Sequence, residues 1–335
     1  MILKVKLNIF IIIVAISCII LSFLIFTKSK QSENYYKSQD IYQHYKVSTL
    51  ILKGENPYLP ILNSNMKKNE KYPTYLAGFY YLMAPTVKIY PEFNSWLDFW
   101  KLVTTFFYAF VGFLIFYNAH KNKKTTLGVI LALIWFFNRW SIYLVTTLSM
   151  DTITIALLLL SLTLIHSKPK LSLLTLGIQL SLKHLTIFLL PIFLLQTYNK
   201  SLKSNISKTS FAILPILLTS LAFLINSPSA YLKSVLFSAT RLAESHFTVL
   251  SLTVGELFKF DGITERLPIL VGVTFIYFAF MFRKINFLLS IVLVLLISIT
   301  FNPVFFLQYQ AWSIAVLLFY FASEVNSKPS NVVYK

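Results

Sequence analysis

A polar and aromatic stretch between apolar neighbours organises this chain: Ser38-Gln39-Asp40-Ile41-Tyr42-Gln43-His44-Tyr45, then Gly54-Glu55-Asn56-Pro57-Tyr58, then Lys71-Tyr72-Pro73-Thr74-Tyr75, and finally Met83-Ala84-Pro85. Asp40 stands about a dozen residues beyond the apolar run 7–27. At that distance a carboxylate stays close to the bilayer surface, where it can meet a reactant carried in the membrane. Asp40 is therefore the first candidate for chemistry.

Long apolar runs make up most of the 335 residues: 56% are hydrophobic, 13% are charged, and the mean hydropathy is +0.69. The sequence predicts an all-α, polytopic membrane protein with about ten membrane helices in a single transmembrane domain, 1–335. The predicted helices are 7–27, 99–118, 126–138, 151–166, 171–183, 185–198, 209–226, 267–282, 285–301 and 308–323. Several are shorter than the roughly 20 residues of a perpendicular span, so we expect tilted, broken or re-entrant helices that line a cavity.

The orientation follows from Lys and Arg in the short connections between the predicted helices. With the N-terminus inside, the cytoplasmic segments hold fourteen basic residues and one acid, Glu324. The basic residues are Lys4, Lys6, Lys121, Lys123, Lys124, Lys168, Lys170, Lys200, Lys203, Lys208, Arg283, Lys284, Lys328 and Lys335. The prediction is a multi-pass protein of the inner or plasma membrane. It has a long first extracytoplasmic loop at 28–98, the remaining helices within 99–323, an outer loop near 227–266 and a cytoplasmic tail at 324–335.

The composition also excludes classes of partner and site. The net charge is +18, but the Lys residues form short clusters between apolar runs, which is atypical of nucleic-acid binding. Cys18 is the single cysteine, so neither an internal disulfide nor a Cys metal site is possible. There is no Cys/His cluster and no paired-acid motif, so the sequence predicts no metal ion and no cofactor.

The ordered set of motifs in the first loop resembles that of the GT-C glycosyltransferases, integral membrane enzymes that use polyprenyl-phosphate sugars. It is most similar to the bacterial polyprenyl-phosphate-mannose-dependent mannosyltransferase branch. There an Asp precedes a Tyr-containing helix, a Gly-x-Asn-Pro-Tyr turn and a Tyr-Pro pair. The resemblance implies a GT-C fold with Asp40 as general base. Where some relatives have a second acid, this chain has Ser38 and Gln39, which argues against a metal ion bound in the loop.

Asp151 begins a later apolar segment. Arg139 and the pair Ser149-Met150 precede it in the chain. Relatives often carry Gly-Gln before an Asn or Asp at the start of this helix, so the likeness is partial. The alternative is an acid at a helix N-terminus, which the macrodipole favours.

Lys183 and His184 interrupt the apolar stretch from Leu171 to Leu195. A charge at membrane depth costs about 2.5–3.5 kcal/mol on insertion scales and usually faces a cavity or a partner. In the alternative, the two residues form a polar tip and Lys183 snorkels to the outer headgroups. Family members often have Lys followed by an aromatic residue or His before an apolar run with Pro, as Pro191 is here, so the resemblance favours a site.

Two further outer segments carry polar side chains. Arg241 and His246 lie in the loop near 227–266, where Arg241 and Glu244 are spaced for an ordinary surface ion pair. Gln308-Tyr309-Gln310-Ala311-Trp312 opens the last helix and is similar to a turn of several GT-C mannosyltransferases. An interfacial aromatic belt would explain Tyr309 and Trp312 equally well, whereas Gln308 is harder to explain in that way.

The resemblance implies transfer of a sugar, mannose in that branch, from a polyprenyl-phosphate donor to a lipid-linked or glycan acceptor on the outer face. Phosphate leaves as a stable anion, so one carboxylate can suffice as base. The predicted partners are these two reactants and membrane lipids. Candidates for the donor phosphate are Lys183, His184, Arg139, Arg241 and His246. Candidates for the sugar or acceptor are Tyr42, Tyr45, Asn56, Tyr58, Tyr72, Gln308 and Tyr309.

Three alternatives stay open at this point. A surface-polysaccharide polymerase or ligase is also polytopic with large outer loops, but its principal loop is expected nearer the middle or end of the chain. A secondary transporter would show related halves, and no such repeat is visible in the sequence. In a non-catalytic membrane scaffold the loop motifs would be accidental.

Overall fold

A computed structural model describes residues 2–64, 72–237, 264, 266–302 and 306–323, with side chains from residue 9 onward. Within these ranges every regular element is a helix and no strand occurs. The all-α prediction is therefore confirmed for the described part of the chain.

The first loop folds into short helices after α1 (Ile2–Ser29): α2 (Glu33–Ser38), α3 (Asp40–Leu52), a 3₁₀ helix (Leu59–Asn63) and α4 (Ala77–Ile89). Gly54 follows the end of α3 with a φ of 74°, a left-handed conformation that glycine adopts at little cost at a helix C-terminus. The Gly-x-Asn-Pro-Tyr segment therefore works as a helix stop that turns the chain back towards α4.

Ten apolar segments were expected to be helical, and each corresponds to a helical element. After α1 these are α5 (Phe93–Lys121), α6 (Thr125–Phe137), α8 (Asp151–Leu164), α9 (Pro169–Leu182), a 3₁₀ helix (His184–Leu189) continuing into α10 (Leu190–Thr197), α11 (Leu202–Asn226), α13 (Leu267–Met281), α14 (Phe287–Thr300) and α15 (Gln308–Ser323). Two shorter helices, α7 (Arg139–Thr146) and α12 (Pro228–Val235), lie between them.

Length and composition identify fewer certain spans than ten. Three helices of the described chain are long and apolar enough to cross a membrane, at Ile9–Ser29, Phe93–Lys121 and Leu202–Asn226. The count rises to four if α6 and α7, which meet at a bend of 53°, form one broken span. These helices are compatible with a membrane protein, whereas ten spans and the GT-C fold stay predictions.

The first loop is shorter than its predicted range, because α5 begins at Phe93 rather than at 99. Trp96 and Trp100 in the added turns are buried, and both indole N–H groups donate to the Thr86 hydroxyl of α4, at 2.8 and 3.1 Å. These indoles belong to a loop core built from α3, α4, the start of α5 and α12. Packing against that core extends the helix beyond its apolar sequence.

The helices α8, α9 and α11 pack closely side by side. On one side of α9, the hydroxyls of Ser161 and Ser172 each donate to the other residue's carbonyl at 2.7 Å, which joins α8 to α9. On the other side Gly177 lies against α11, and a Cβ there would collide with the Ala212 backbone. Small residues thus bring the backbones together, as is usual in membrane helix packing.

Candidate active site

Asp151 is placed at the start of α8 by the tight turn that follows α7. Leu148 adopts a left-handed φ of 51°, unusual for a residue with a side chain, and the Ser149 amide donates to the Leu144 carbonyl at 2.8 Å. The turn directs Asp151 into the protein, where it is 1% exposed. A strained turn thus precedes a buried acid.

Lys183 lies at the break between α9 and the 3₁₀ helix that follows it, with extended backbone angles of −147° and 117°. Gln179, fully buried, bridges this break. Its amide nitrogen donates to the Lys183 carbonyl at 3.1 Å and its amide oxygen accepts from the Thr186 hydroxyl at 2.6 Å. Non-helical backbone buried between packed helices is stable only if its polar groups are satisfied, and Gln179 supplies the partners.

Asp151 and Lys183 form a buried ion pair, the Asp151–Lys183 pair. Lys183 Nζ lies 2.5 Å from Asp151 Oδ1. The Lys183 side chain is 8% exposed and the Asp151 side chain is 1% exposed. Trp312 Nε1 donates to the same oxygen at 2.8 Å, and the Ser149 hydroxyl donates to Oδ2 at 2.8 Å. Three donors thus serve one carboxylate, and together they fix its position and orientation.

Two aromatic rings flank the Lys183 ammonium. Nζ lies 5.4 Å from the ring centre of Tyr75 and 5.2 Å from that of Tyr309, within the range of cation–π attraction. The alternative in which Lys183 snorkels to the headgroups is therefore wrong, because its side chain points into the protein. Asp151 does lie in the first turn of its helix, but its contacts exceed those of an ordinary helix-terminal acid.

Asp40 is exposed and is the first residue of α3, with Gln39 in the cap position. Tyr75 connects it to the buried pair: burial raises the pKa of the Tyr75 phenol well above its usual value, and the carboxylates of Asp151 and Asp40 add to that increase. Asp40 also raises the pKa of Tyr80, after the larger effects of burial and Tyr75. The contacts agree: the His44 ring, one helical turn after Asp40 in α3, packs on Tyr75 at 5.1 Å, and Tyr75 in turn flanks the Lys183 ammonium. Tyr75 therefore connects the helix that Asp40 begins to the Asp151–Lys183 pair.

The other predicted first-loop residues fall into two groups. Tyr42 and Tyr45 are half-buried and stack on each other at 6.4 Å beside Phe93, so part of each ring remains accessible. Tyr58, by contrast, is fully buried, and its hydroxyl donates to the Tyr75 carbonyl at 3.1 Å. Asn56 accepts from the Tyr58 amide at 3.0 Å, which is turn chemistry.

The remaining candidates are scattered around the site. Arg139 is exposed at the start of α7, 4.5 Å above the Trp140 ring. Tyr72 packs on Phe237, and Gln308 is the half-buried first residue of α15. Next to Lys183, His184 has a buried Nδ1 that makes no hydrogen bond with a described residue. Arg241 and His246 lie outside the described residues.

Sequence reasoning did not assign three residues that contact the pair: Ser149, Tyr75 and Trp312. A signal for the pair itself was present in the sequence. In the predicted topology Asp151 begins one span and Lys183 ends the next, so both belong to the same face of the membrane, where a lone acid and a lone base are expected to pair. Among the described residues no group of three or more His, Cys, Asp or Glu side chains could hold a metal ion.

No family model, no curated protein and no solved structure matches this chain. The resemblance of the first loop to GT-C enzymes therefore stays a prediction from the sequence.

Proposed function

We propose that this protein is a membrane glycosyltransferase that moves a sugar from a polyprenyl-phosphate donor to a lipid-linked or glycan acceptor. One observation carries the proposal: the ammonium of a buried lysine lies 5.4 Å from the Tyr75 ring, and α3, which begins at the exposed Asp40, packs on the same ring through His44. Such a site offers a cation for a lipid phosphate and a carboxylate base within one polar region. The GT-C-like order of loop motifs supports the same function.

Lys183 is the group proposed to bind the donor phosphate. Its ammonium has three N–H donors, and the contact with Asp151 uses one of them. Asp151 orients the ammonium, and the apolar helices beside it offer a surface for the polyprenyl chain. In a site of low dielectric this cation interacts strongly with negative charge that develops on the departing phosphate.

Asp40 is the proposed general base. It takes the proton of the acceptor hydroxyl, whose oxygen then forms a bond with the anomeric carbon of the sugar. The bond between that carbon and the phosphate oxygen breaks, and its electron pair leaves on the polyprenyl phosphate beside Lys183. The proton ends on Asp40, so no second carboxylic acid is needed for the leaving group.

The first-loop tyrosines divide into binding and structural roles in this proposal. Tyr42 and Tyr45 keep accessible ring surface and stay candidates for sugar contact. Tyr58 and Asn56, which the sequence assigned to the sugar, are better explained by the fold of the loop. The family resemblance is the only basis for mannose.

The decisive experiment measures radiolabelled sugar transfer from polyprenyl-phosphate donors by the purified protein in liposomes. For Asp40→Asn we expect a loss of about 10²–10⁴-fold, because a positioned base contributes that much. The melting temperature should stay near the wild-type value, because the exposed side chain changes little in size. Asp98→Asn is the matched control, since Asp98 is an exposed acid of α5 that pairs with Lys101 at 2.7 Å.

The outcomes separate the parts of the proposal. Transfer by the wild type and the control but not by Asp40→Asn supports both the function and the base. Full transfer by Asp40→Asn retains the function and moves the base to another residue. No transfer from any polyprenyl-phosphate sugar by folded wild type overturns the function.

The proposed orientation places the first loop outside the cell. In a Cys18→Ser background, Glu55→Cys should react with a membrane-impermeant maleimide in intact cells, because Glu55 is exposed in that loop. Lys123→Cys is the control: it is exposed in the turn between α5 and α6 and should react only after lysis. The reverse pattern would invert the predicted topology.

A transporter is the second candidate, favoured by one observation. A charged pair beside a break in a membrane helix is also typical of coupled transport sites. Uptake of a labelled solute by liposomes, without sugar transfer, would decide for it.

A further inference from the structure

A second buried lysine, Lys208 of α11, lies at the other end of the helix pair α9 and α11. Its side chain is 8% exposed, and Nζ donates to the Thr197 carbonyl at the C-terminal end of α10. Lys170 of α9 lies near it, because Lys170 Nζ is 5.8 Å from the ring centre of Phe211, which follows Lys208 by three residues on α11. Lys170 and Lys183 are separated by about 20 Å along α9 at 1.5 Å per residue, so Lys208 belongs to the opposite end of the bundle from the candidate active site.

Among the residues that the structure describes, Lys208 has no carboxylate to balance its charge. The sequence contains no Asp or Glu from 152 to 243. Across the described part of the chain, the salt bridges are formed by Lys37, Lys101 and Lys183, and none involves Lys208 or Lys170. A helix C-terminus carries only about half a negative charge. The two ammonium groups therefore form a site of net positive charge that attracts an anion.

An apolar cavity of about 390 Å³ opens beside Lys208, between α10, α11 and α13. Pro191, Leu194, Leu195 and Met281 line it with apolar side chains, and Lys208 lines it together with polar residues such as Asn205 and Thr209. Its volume lies in the range of ligand sites, about 300–1,000 Å³. A bare apolar cavity would admit any lipid tail, but this one contains a buried cation.

We propose that this cavity binds an acyl chain of an anionic phospholipid, whose phosphate is held by Lys208 while Lys170 adds a second positive charge. Charge complementarity selects the occupant. An acyl chain fits the apolar wall, and the phosphate of the headgroup supplies the negative charge, since residues 152–243 contain no Asp or Glu. Lys170, Lys200, Lys203 and Lys208 all belong to connections predicted to be cytoplasmic. The site is independent of the proposed sugar transfer and would remain if that function failed.

The test is native mass spectrometry of the detergent-purified full chain with phosphatidylglycerol and phosphatidylcholine of identical acyl chains. Wild type should bind one phosphatidylglycerol more tightly than phosphatidylcholine. Lys208→Gln should weaken phosphatidylglycerol binding about fivefold, the effect of one lysine near an anionic headgroup. Lys203→Gln is the matched control, because Lys203 is exposed on the same helix and does not line the cavity. Leu194→Trp should reduce binding of both lipids, because it fills the cavity without a change of charge.

A second measurement separates lipid binding from a purely structural role, in which Lys208 only caps the end of α10. A lipid that binds the folded state raises the melting temperature. Lys208→Gln should lower the melting temperature of lipid-free protein and also reduce the increase caused by phosphatidylglycerol. An unchanged increase would show a cap only and overturn the proposal, as would equal affinity for the two lipids. Binding of soluble glycerol phosphate as tight as that of the lipid would indicate a free phosphate site instead.

Discussion

The two buried lysines of this protein have almost the same exposure and opposite electrostatic surroundings. Lys183 contacts a carboxylate, and two aromatic rings flank its ammonium. Lys208 contacts a helix-terminal carbonyl and lies near a second lysine. The difference shows that burial alone does not define the role of a charged side chain. The proposed roles differ accordingly: Lys183, oriented by its carboxylate, is proposed to bind the donor phosphate, and Lys208 is proposed to bind the phosphate of an anionic lipid.

The largest loss of stability is expected when the partner of Lys183 is removed. Asp151→Asn keeps the shape of the side chain but leaves the ammonium buried without a counter-charge, which typically costs about 3–5 kcal/mol. The free energy of unfolding, measured in mixed detergent micelles, should fall by that amount. Lys183→Met should cost about as much, because it strands the carboxylate.

The double variant, Asp151→Asn with Lys183→Met, is the control for this effect. It contains no stranded charge, so it should be more stable than the sum of the single effects predicts. If the two single losses simply add, the two residues do not depend on each other and the ion pair contributes nothing.

A smaller loss is expected at the other lysine. Lys208→Met removes a hydrogen bond between a charged donor and the Thr197 carbonyl, worth about 1.5–3 kcal/mol, but strands no charge. In lipid-free detergent its unfolding free energy should therefore fall less than that of Asp151→Asn. A loss as large as at Asp151 would mean that Lys208 has an acidic partner among residues that the structure does not describe.

Much of the fold could be predicted because apolar runs are a local property of the sequence. All ten predicted segments correspond to helical elements. The error at Phe93 has a different origin, since tertiary packing of Trp96 and Trp100 on α4 extends that helix.

The candidate site was less accessible from the sequence. Its central contact needs a left-handed Leu148 to direct Asp151 inward, a break at Lys183 bridged by Gln179, and the docking of Trp312 from a distant helix. None of these three features is marked by a pattern in the neighbouring sequence. The same holds for Tyr58, where the motif was recognised but its buried position in the loop core was not.

The smallest effect on stability is expected at a surface ion pair, where both side chains are exposed to water. Glu33 and Lys37 of α2 lie 2.5 Å apart one helical turn from each other, and the Asn94 side chain also donates to Glu33 at 2.9 Å. The hydrogen bond from Lys37 lowers the pKa of Glu33, with a further contribution from Asn94, and the bond to Glu33 raises the pKa of Lys37. Water and salt screen such a pair, unlike the buried Asp151–Lys183 pair.

The pH dependence of this exposed pair has a definite sign. Because the pKa of Glu33 is lowered on folding, its contribution is present above the ordinary pKa of Glu and is lost as the pH falls through the lowered value. The contribution of Lys37 is present below its ordinary pKa and is lost as the pH rises through the raised value. The melting temperature of Glu33→Gln should therefore lie slightly below wild type near neutral pH. The two should converge once the pH is below the lowered pKa of Glu33, and also in 1 M salt. A difference that persists in acid and in salt would show that the substitution removes packing or the Asn94 hydrogen bond rather than the ion pair.

By contrast, the lower stability of Asp151→Asn relative to wild type should persist in 1 M salt, because salt ions do not reach a carboxylate that is 1% exposed.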